Sequence, residues 1–203
     1  MYKEIILAVL IGYFLGSIPF ALVIGKLFFR TDIRNYGSKN LGGGNAGRVL
    51  GKKAGVSVMA LDLLKVTLAI FITSHFSGGE AVMVAAGLAA AVGHCFPVFA
   101  NFKGGKAVAV MYGFLFGMAL FGGYSLWIFF LPLISFLIIL YLWKIVALAS
   151  IFSAAINTGY LLITTGASSV FWASLIFTIV ILVRHRSNIG RILRDEENKI
   201  TWM

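Results

Sequence analysis

The sequence predicts an all-α integral membrane protein: a bundle of seven transmembrane helices, N-terminus outside and C-terminus in the cytoplasm. Three observations carry this. The 203-residue chain is 60% hydrophobic with a mean hydropathy of +0.97, well above the usual apolar share of a soluble domain. Apolar runs long enough to cross a hydrocarbon core of about 30 Å recur along it. The 17 Lys and Arg residues also cluster on alternate connections. No polar segment is large enough to bury a core of its own, so residues 1–203 read as a single membrane domain.

The first apolar run, 5–29, exceeds the length of a signal-peptide core and lacks a small-residue cleavage site, so it reads as the first span. The remaining spans fall at 54–74, 80–100, 107–121, 124–143, 145–165 and 168–184. The run 107–121 is short, and charge decides whether it crosses or re-enters. With seven spans and an outside N-terminus, Lys3 lies outside and Lys65 within the second span. The other 15 basic residues lie in inside segments or at the inner ends of spans. A re-entrant 107–121 would move Lys144 and the Arg-rich tail to the outer face.

Small residues every four positions, Ala81, Ala85, Ala89 and Gly93, then Ala149, Ser153 and Asn157, mark expected helix contacts, with Asn157 as an interhelical hydrogen-bonder. Asp62 and Lys65 are three apart and pair on one helix face, neutralising each other near the inner surface.

Three inside segments hold the chemistry. Residues 32–53 include Ser38, Asn40, Asn45 and Arg48 among glycines. Gly42, Gly44 and Gly47 match G-x-G-x-x-G by accident, since a membrane helix precedes them and no βαβ unit is possible. An arginine fork holds two phosphate oxygens at once, which makes Arg48 an anion candidate. Residues 93–106 place His94 before Gly104, Gly105 and Lys106. Glycine amides and an ammonium at a helix start suit a phosphate oxyanion. Residues 184–197 contain His185, Asn188 and Glu197; read as a helix, Arg184, Asn188 and Arg191 share one face. A basic tail lying on anionic lipid is the plainer reading of that segment.

Cys95, the single cysteine, excludes an intramolecular disulfide, and with three histidines no metal-ligand spacing occurs. No cofactor, metal or nucleic-acid partner is expected; the inside loops account for the basic charge.

Together the three segments resemble the bacterial membrane family of acyl-phosphate:glycerol-3-phosphate acyltransferases. That family carries G-S-G-N-x-G-(A/T)-T-N-x-x-R, then G-H-x-F-P-x-F-x-x-F-K-G-G-K-x-V-A-T, then R-H-x-x-N-I-x-R-(L/I)-x-x-G-x-E. Gly37 to Arg48, Gly93 to Val110 and Arg184 to Glu197 answer these in order. The similarity extends to Gly16-Ser17-Ile18-Pro19 and to Leu61 through Lys65.

The resemblance implies a multi-pass enzyme of the bacterial cell membrane, its active site open to the cytoplasm. It would move a fatty acyl group from acyl phosphate to the 1-hydroxyl of glycerol 3-phosphate, giving lysophosphatidate and inorganic phosphate for phospholipid synthesis. By position, Ser38, His94 and Asn188 would be catalytic. Arg48, Lys106, Asn45, Gly104, Gly105, His185 and Glu197 would bind substrate. His94 would orient substrate or take the attacking hydroxyl's proton; the acyl phosphate's own phosphate oxygen is the alternative base.

The chain departs from the pattern at Lys39, Gly43, Gly44, Val110 and Asp195. Three consecutive glycines at 42–44 are expected to loosen the first loop. Two rivals stand beside the enzyme: a non-catalytic membrane protein that binds or carries an organophosphate through the same basic site, and a structural bundle whose basic loops only set topology.

Overall fold

The computed structural model describes residues 2–200, and every regular element in that range is helical. The chain divides into two compact units, Met1–Gly123 and Tyr124–Met203.

In the first unit, α1 (Tyr2–Gly16) and α2 (Phe20–Phe29) form the first apolar run. The expected single helix is broken at Ser17-Ile18-Pro19. Proline lacks an N–H and its ring disfavours helical backbone at the residue before it. The helix restarts on Pro19, whose carbonyl accepts from Leu22 and Val23. The Ile18 carbonyl lies outside that ladder: it accepts from the Phe20 N–H at 3.2 Å and keeps a second lone pair for a side chain.

A 3₁₀ turn (Ile33–Asn35) and α3 (Gly43–Leu50) follow, then the long α4 (Lys52–Ser74), α5 (Gly79–Cys95), a second 3₁₀ turn (Val98–Ala100) and α6 (Val108–Phe121). α1 lies along α5, and α4 packs on α3, α5 and α6.

The α1–α5 contact uses small residues, though the stripe is rotated from the expected one. Ala86 and Ala90 are fully buried and face Gly12 and Gly16, while Ala81 is exposed. Val82, Ala86, Ala90 and Gly93 line the contact, so Gly12 and Gly16 decide which side of α5 is used. A core containing Ala21, Ile33, Leu41, Ala46, Val58 and Ala100 ties both 3₁₀ turns to α3 and α4.

The second unit holds α7 (Trp127–Trp143), α8 (Val146–Thr165), α9 (Ser169–Arg184) and the short α10 (Arg186–Ile192). α8 packs between α7 and α9. Ala149, Ser153 and Asn157 are fully buried, and Asn157 Nδ2 donates to Ser174 Oγ on α9 at 3.0 Å. The interhelical role expected for Asn157 is what the structure has. The expected continuous helix through 184–197 is not: α9 and α10 meet at 61°.

Four helical stretches are long and apolar enough to span a bilayer: Tyr2–Phe29, Lys52–Ser74, Gly79–Ala100 and Val146–Thr165. The bent α9–α10 pair makes a fifth if counted as one, and α6 and α7 are shorter apolar helices. At 1.5 Å per residue the 14 residues of α6 reach about 21 Å.

Candidate active site

The first group of candidate residues is held by Asn45. Its side chain is buried on α3, where Nδ2 donates to the carbonyls of Ile33 and Tyr36, each at 3.2 Å. Its Oδ1 accepts from the Ser38 backbone N–H at 2.9 Å. Both amide protons are thus used to hold the 33–38 loop, leaving Ser38 exposed on a pinned backbone. Gly37 makes the loop possible: its φ is +58°, and a Cβ there would run into Asn45 Oδ1.

Arg48 projects from the exposed face of α3. Arg34 is committed elsewhere, donating to the Asp32 carboxylate through Nη2 at 2.6 Å and Nε at 2.9 Å. That pairing lowers the Asp32 pKa to about 2 and raises that of Arg34.

The glycines at 42–44 do not form a loose loop. Gly42 is the N-cap of α3, while Gly43 and Gly44 are its first two residues. A Cβ on Gly43 would strike the Met59 side chain and stand 2.8 Å from the Gly55 carbonyl oxygen. A Cβ on Gly55 would stand 2.7 Å from Gly47 Cα. Gly43, Gly47 and Gly55 therefore bring two backbones together, and Gly44 faces open space.

The second group is a knot around His94, in the last turn of α5. The 101–107 loop folds back so that Gly105 N–H donates to the His94 carbonyl at 3.0 Å. A Cβ on Gly105 would collide with the His94 ring at Nε2, and one on Gly104 with the His94 carbonyl. These are glycines because His94 lies against them. Lys106 follows, then Ala107 at φ +64°, and α6 begins at Val108. Lys106 thus stands two residues ahead of the helix it was expected to start.

Sequence reasoning missed what lies beneath His94. Lys65 Nζ donates to Asp62 Oδ1 at 2.7 Å and to the Ile18 carbonyl at 2.9 Å, and lies 3.2 Å from His94 Nδ1. The three side chains are only 1%, 2% and 5% exposed for Asp62, Lys65 and His94. The expected Asp62–Lys65 pair exists, and it is also the floor of the histidine. Pro19 was the legible signal, since the helix break it causes takes the Ile18 carbonyl that Lys65 uses out of the regular ladder.

The third group lies in the second unit. Glu197, 6% exposed at its side chain, accepts from Asn188 Nδ2 at 2.9 Å and from Arg191 Nε at 2.7 Å. Asn188 and Arg191 therefore share a face of α10, while Arg184, expected on the same face, ends α9 on the other side of the bend. The same loop–tail segment is tied back by Ile200 N–H, which donates to the Lys144 carbonyl at 2.8 Å. His185 is buried at the α9–α10 bend with Nδ1 2.8 Å from the Ile181 carbonyl. Among the described residues, no three His, Cys, Asp or Glu side chains are grouped to hold a metal ion.

A family profile described as glycerol-3-phosphate acyltransferase matches residues 6–195 in one run. The chain belongs to the glycerol-3-phosphate acyltransferase family. It is 39% identical over 209 residues to proteins of that name from Streptococcus pyogenes serotype M5 (strain Manfredo) and serotype M49 (strain NZ131), covering 98% of this chain and 94% of each relative.

Among solved structures it resembles PlsY (YgiH), an integral membrane glycerol 3-phosphate acyltransferase, in its glycerol 3-phosphate form. The TM-score is 0.88 at 35% identity, covering 97% of this chain and 96% of that one. The lysphosphatidic acid form of PlsY gives 0.85 at 33% identity, with 97% and 95% covered.

Two departures from the acyltransferase pattern now acquire a local meaning. Lys39 and Asp195, which stand where the pattern has glycine, both adopt left-handed backbone, with φ of +59° and +54°. Both positions thus take a backbone conformation that glycine adopts without strain. Val110, in place of a threonine, is fully buried on α6.

Proposed function

We propose that this chain is an integral membrane enzyme that transfers a fatty acyl group from acyl phosphate to the 1-hydroxyl of glycerol 3-phosphate. The products are lysophosphatidate and inorganic phosphate, and the reaction serves phospholipid synthesis. The observation that carries the reading is the His94 knot: a buried polar floor presses a histidine against the Gly104–Gly105 turn, just before Lys106. Family membership across residues 6–195 supports it.

In the proposed step the 1-hydroxyl oxygen attacks the acyl carbonyl carbon and the carbon–oxygen bond to phosphate breaks. The hydroxyl proton leaves with the phosphate or through His94. Arg48 and Lys106 bind phosphate charge by charge-assisted hydrogen bonds. Ser38 and Asn188 donate or accept hydrogen bonds, while Gly104, Gly105, Asn45, His185 and Glu197 shape the substrate site. Because phosphate is a good leaving group, positioning and charge stabilisation suffice for rate.

We further propose that residues 1–203 act as one domain with seven spans, N-terminus outside, and the active site open to the cytoplasm. The Lys and Arg bias supports this orientation. The apolar α6 and α7 supply the spans beyond the longer helices.

The test is product formation. Purified protein given acyl phosphate and glycerol 3-phosphate should yield lysophosphatidate by mass spectrometry. A protein that binds glycerol 3-phosphate without making the ester would be a carrier instead.

A further inference from the structure

We propose that Lys65 is a positioning residue that fixes the tautomer of His94, making His94 a hydrogen-bond donor to substrate rather than an acceptor of its proton. The inference rests on the acyltransferase reading and assigns a role that reading leaves open.

An ammonium has three N–H donors and no lone pair. Lys65 Nζ directs them at Asp62 Oδ1, the Ile18 carbonyl and His94 Nδ1, at 2.7, 2.9 and 3.2 Å. Each anchor has a separate origin: Asp62 lies one turn away on α4, Ile18 lies at the Pro19 break, and His94 comes from α5. The Phe20 ring lies 5.7 Å from the same ammonium.

Asp62 Oδ1 stands 3.6 Å from His94 Nδ1, beyond hydrogen-bond distance and farther than Lys65 Nζ. Since Lys65 only donates, this shorter contact places the lone pair on Nδ1 of His94. The ring proton is then on Nε2, the atom against Gly105 in the turn that leads to Lys106. A histidine so held offers an N–H to an anionic oxygen. It has no basic nitrogen left on that side. The acyl-transfer proton therefore departs with the phosphate.

His185 is held the opposite way. Its Nδ1 faces the Ile181 carbonyl, which only accepts, so its proton sits on Nδ1. His75 likewise places Nδ1 2.9 Å from the Phe71 carbonyl. The chain thus contains its own spectroscopic controls.

The experiment is long-range proton–nitrogen correlation of imidazole-labelled full-length protein in lipid nanodiscs, assigned by His94→Gln. The expected result is a neutral His94 protonated on Nε2 beside a His185 protonated on Nδ1. A His94 protonated on Nδ1, or on both nitrogens, at neutral pH overturns the proposal. This holds whether or not the enzyme turns over, so absence of ester formation would sink the acyltransferase reading separately.

Two variants test the consequence. His94→Gln keeps an N–H near the Nε2 position and cannot take a proton; it should retain at least about tenfold more turnover than His94→Ala. Equal turnover in the two would contradict a donor role. The double variant Asp62→Asn/Lys65→Met removes both buried charges together. It should lose the single His94 tautomer and at least about tenfold in kcat. An unchanged spectrum and unchanged kcat in the folded double variant would overturn the role of Lys65. If that variant does not fold, the wild-type spectrum still decides.

Discussion

The backbone N–H of Ser38 donates to Asn45 Oδ1 at 2.9 Å, so the exposed serine is placed by a buried asparagine seven residues later. Asn45 also satisfies the Ile33 and Tyr36 carbonyls. Asn45→Ala should therefore remove three hydrogen bonds, at about 0.5–1.5 kcal/mol each. Its melting temperature should fall, and acyl transfer should drop at least about tenfold because Ser38 loses its seat. Ser38→Ala should lose activity with its melting temperature near wild type. A thermal melt beside a rate assay separates the two, and an Asn45→Ala protein as stable as wild type would refute the latch.

The glycines of α3 are separable in the same way. Gly44 faces open space in the first turn of a helix, so Gly44→Ala should stabilise the protein by about 0.5–1 kcal/mol. Gly43→Ala should destabilise it, because the new methyl meets Met59 and the Gly55 carbonyl. Lys39→Gly should gain up to about 1 kcal/mol by relieving left-handed backbone, less the added freedom of glycine in the unfolded chain. Chemical denaturation of the three variants reads the signs, and equal effects at 43 and 44 would contradict the α3–α4 contact.

Much of this was legible in the sequence, and what was not has a physical cause. Apolar runs and basic loops announce membrane helices, and the three polar segments locate the candidate residues. Burial is where the reading fell short. Spacing alone does not reveal that the Asn45 amide also holds the loop through the Ile33 and Tyr36 carbonyls. Three adjacent glycines signal looseness unless Gly55, distant by a turn and a helix start, is known to lie against them. Asp62 and Lys65 are paired by spacing alone, but their link to His94 is tertiary and depends on a carbonyl that the Pro19 break takes out of the regular ladder.

Asp32 gives a pH signature outside the membrane spans. Hydrogen bonding from Arg34 lowers its pKa from 3.8 to about 2. A depressed carboxylate contributes stability above its unfolded pKa and loses it as pH falls through the folded one. The contribution of Asp32 should be complete above about pH 4 and vanish towards pH 2. Asp32→Asn should lower the melting temperature at neutral pH and flatten its decline across that window. Parallel wild-type and variant curves would rule the pair out as a stabiliser.

Topology is tested by single cysteines at Ser77 and Ser187 in a Cys95→Ala background. Both positions are exposed, whereas Cys95 is buried. With seven spans and an outside N-terminus, Ser77→Cys should react with an impermeant reagent from outside intact cells. Ser187→Cys should react only after permeabilisation. Equal labelling from outside would contradict the orientation.

The most direct measurement is phosphate release from acyl phosphate by the purified protein, with and without glycerol 3-phosphate. The account predicts release that depends on glycerol 3-phosphate, matches lysophosphatidate one for one, and falls about 10- to 150-fold in Arg48→Ala and Lys106→Ala. Phosphate released at the same rate without glycerol 3-phosphate, or none released at all, would contradict it.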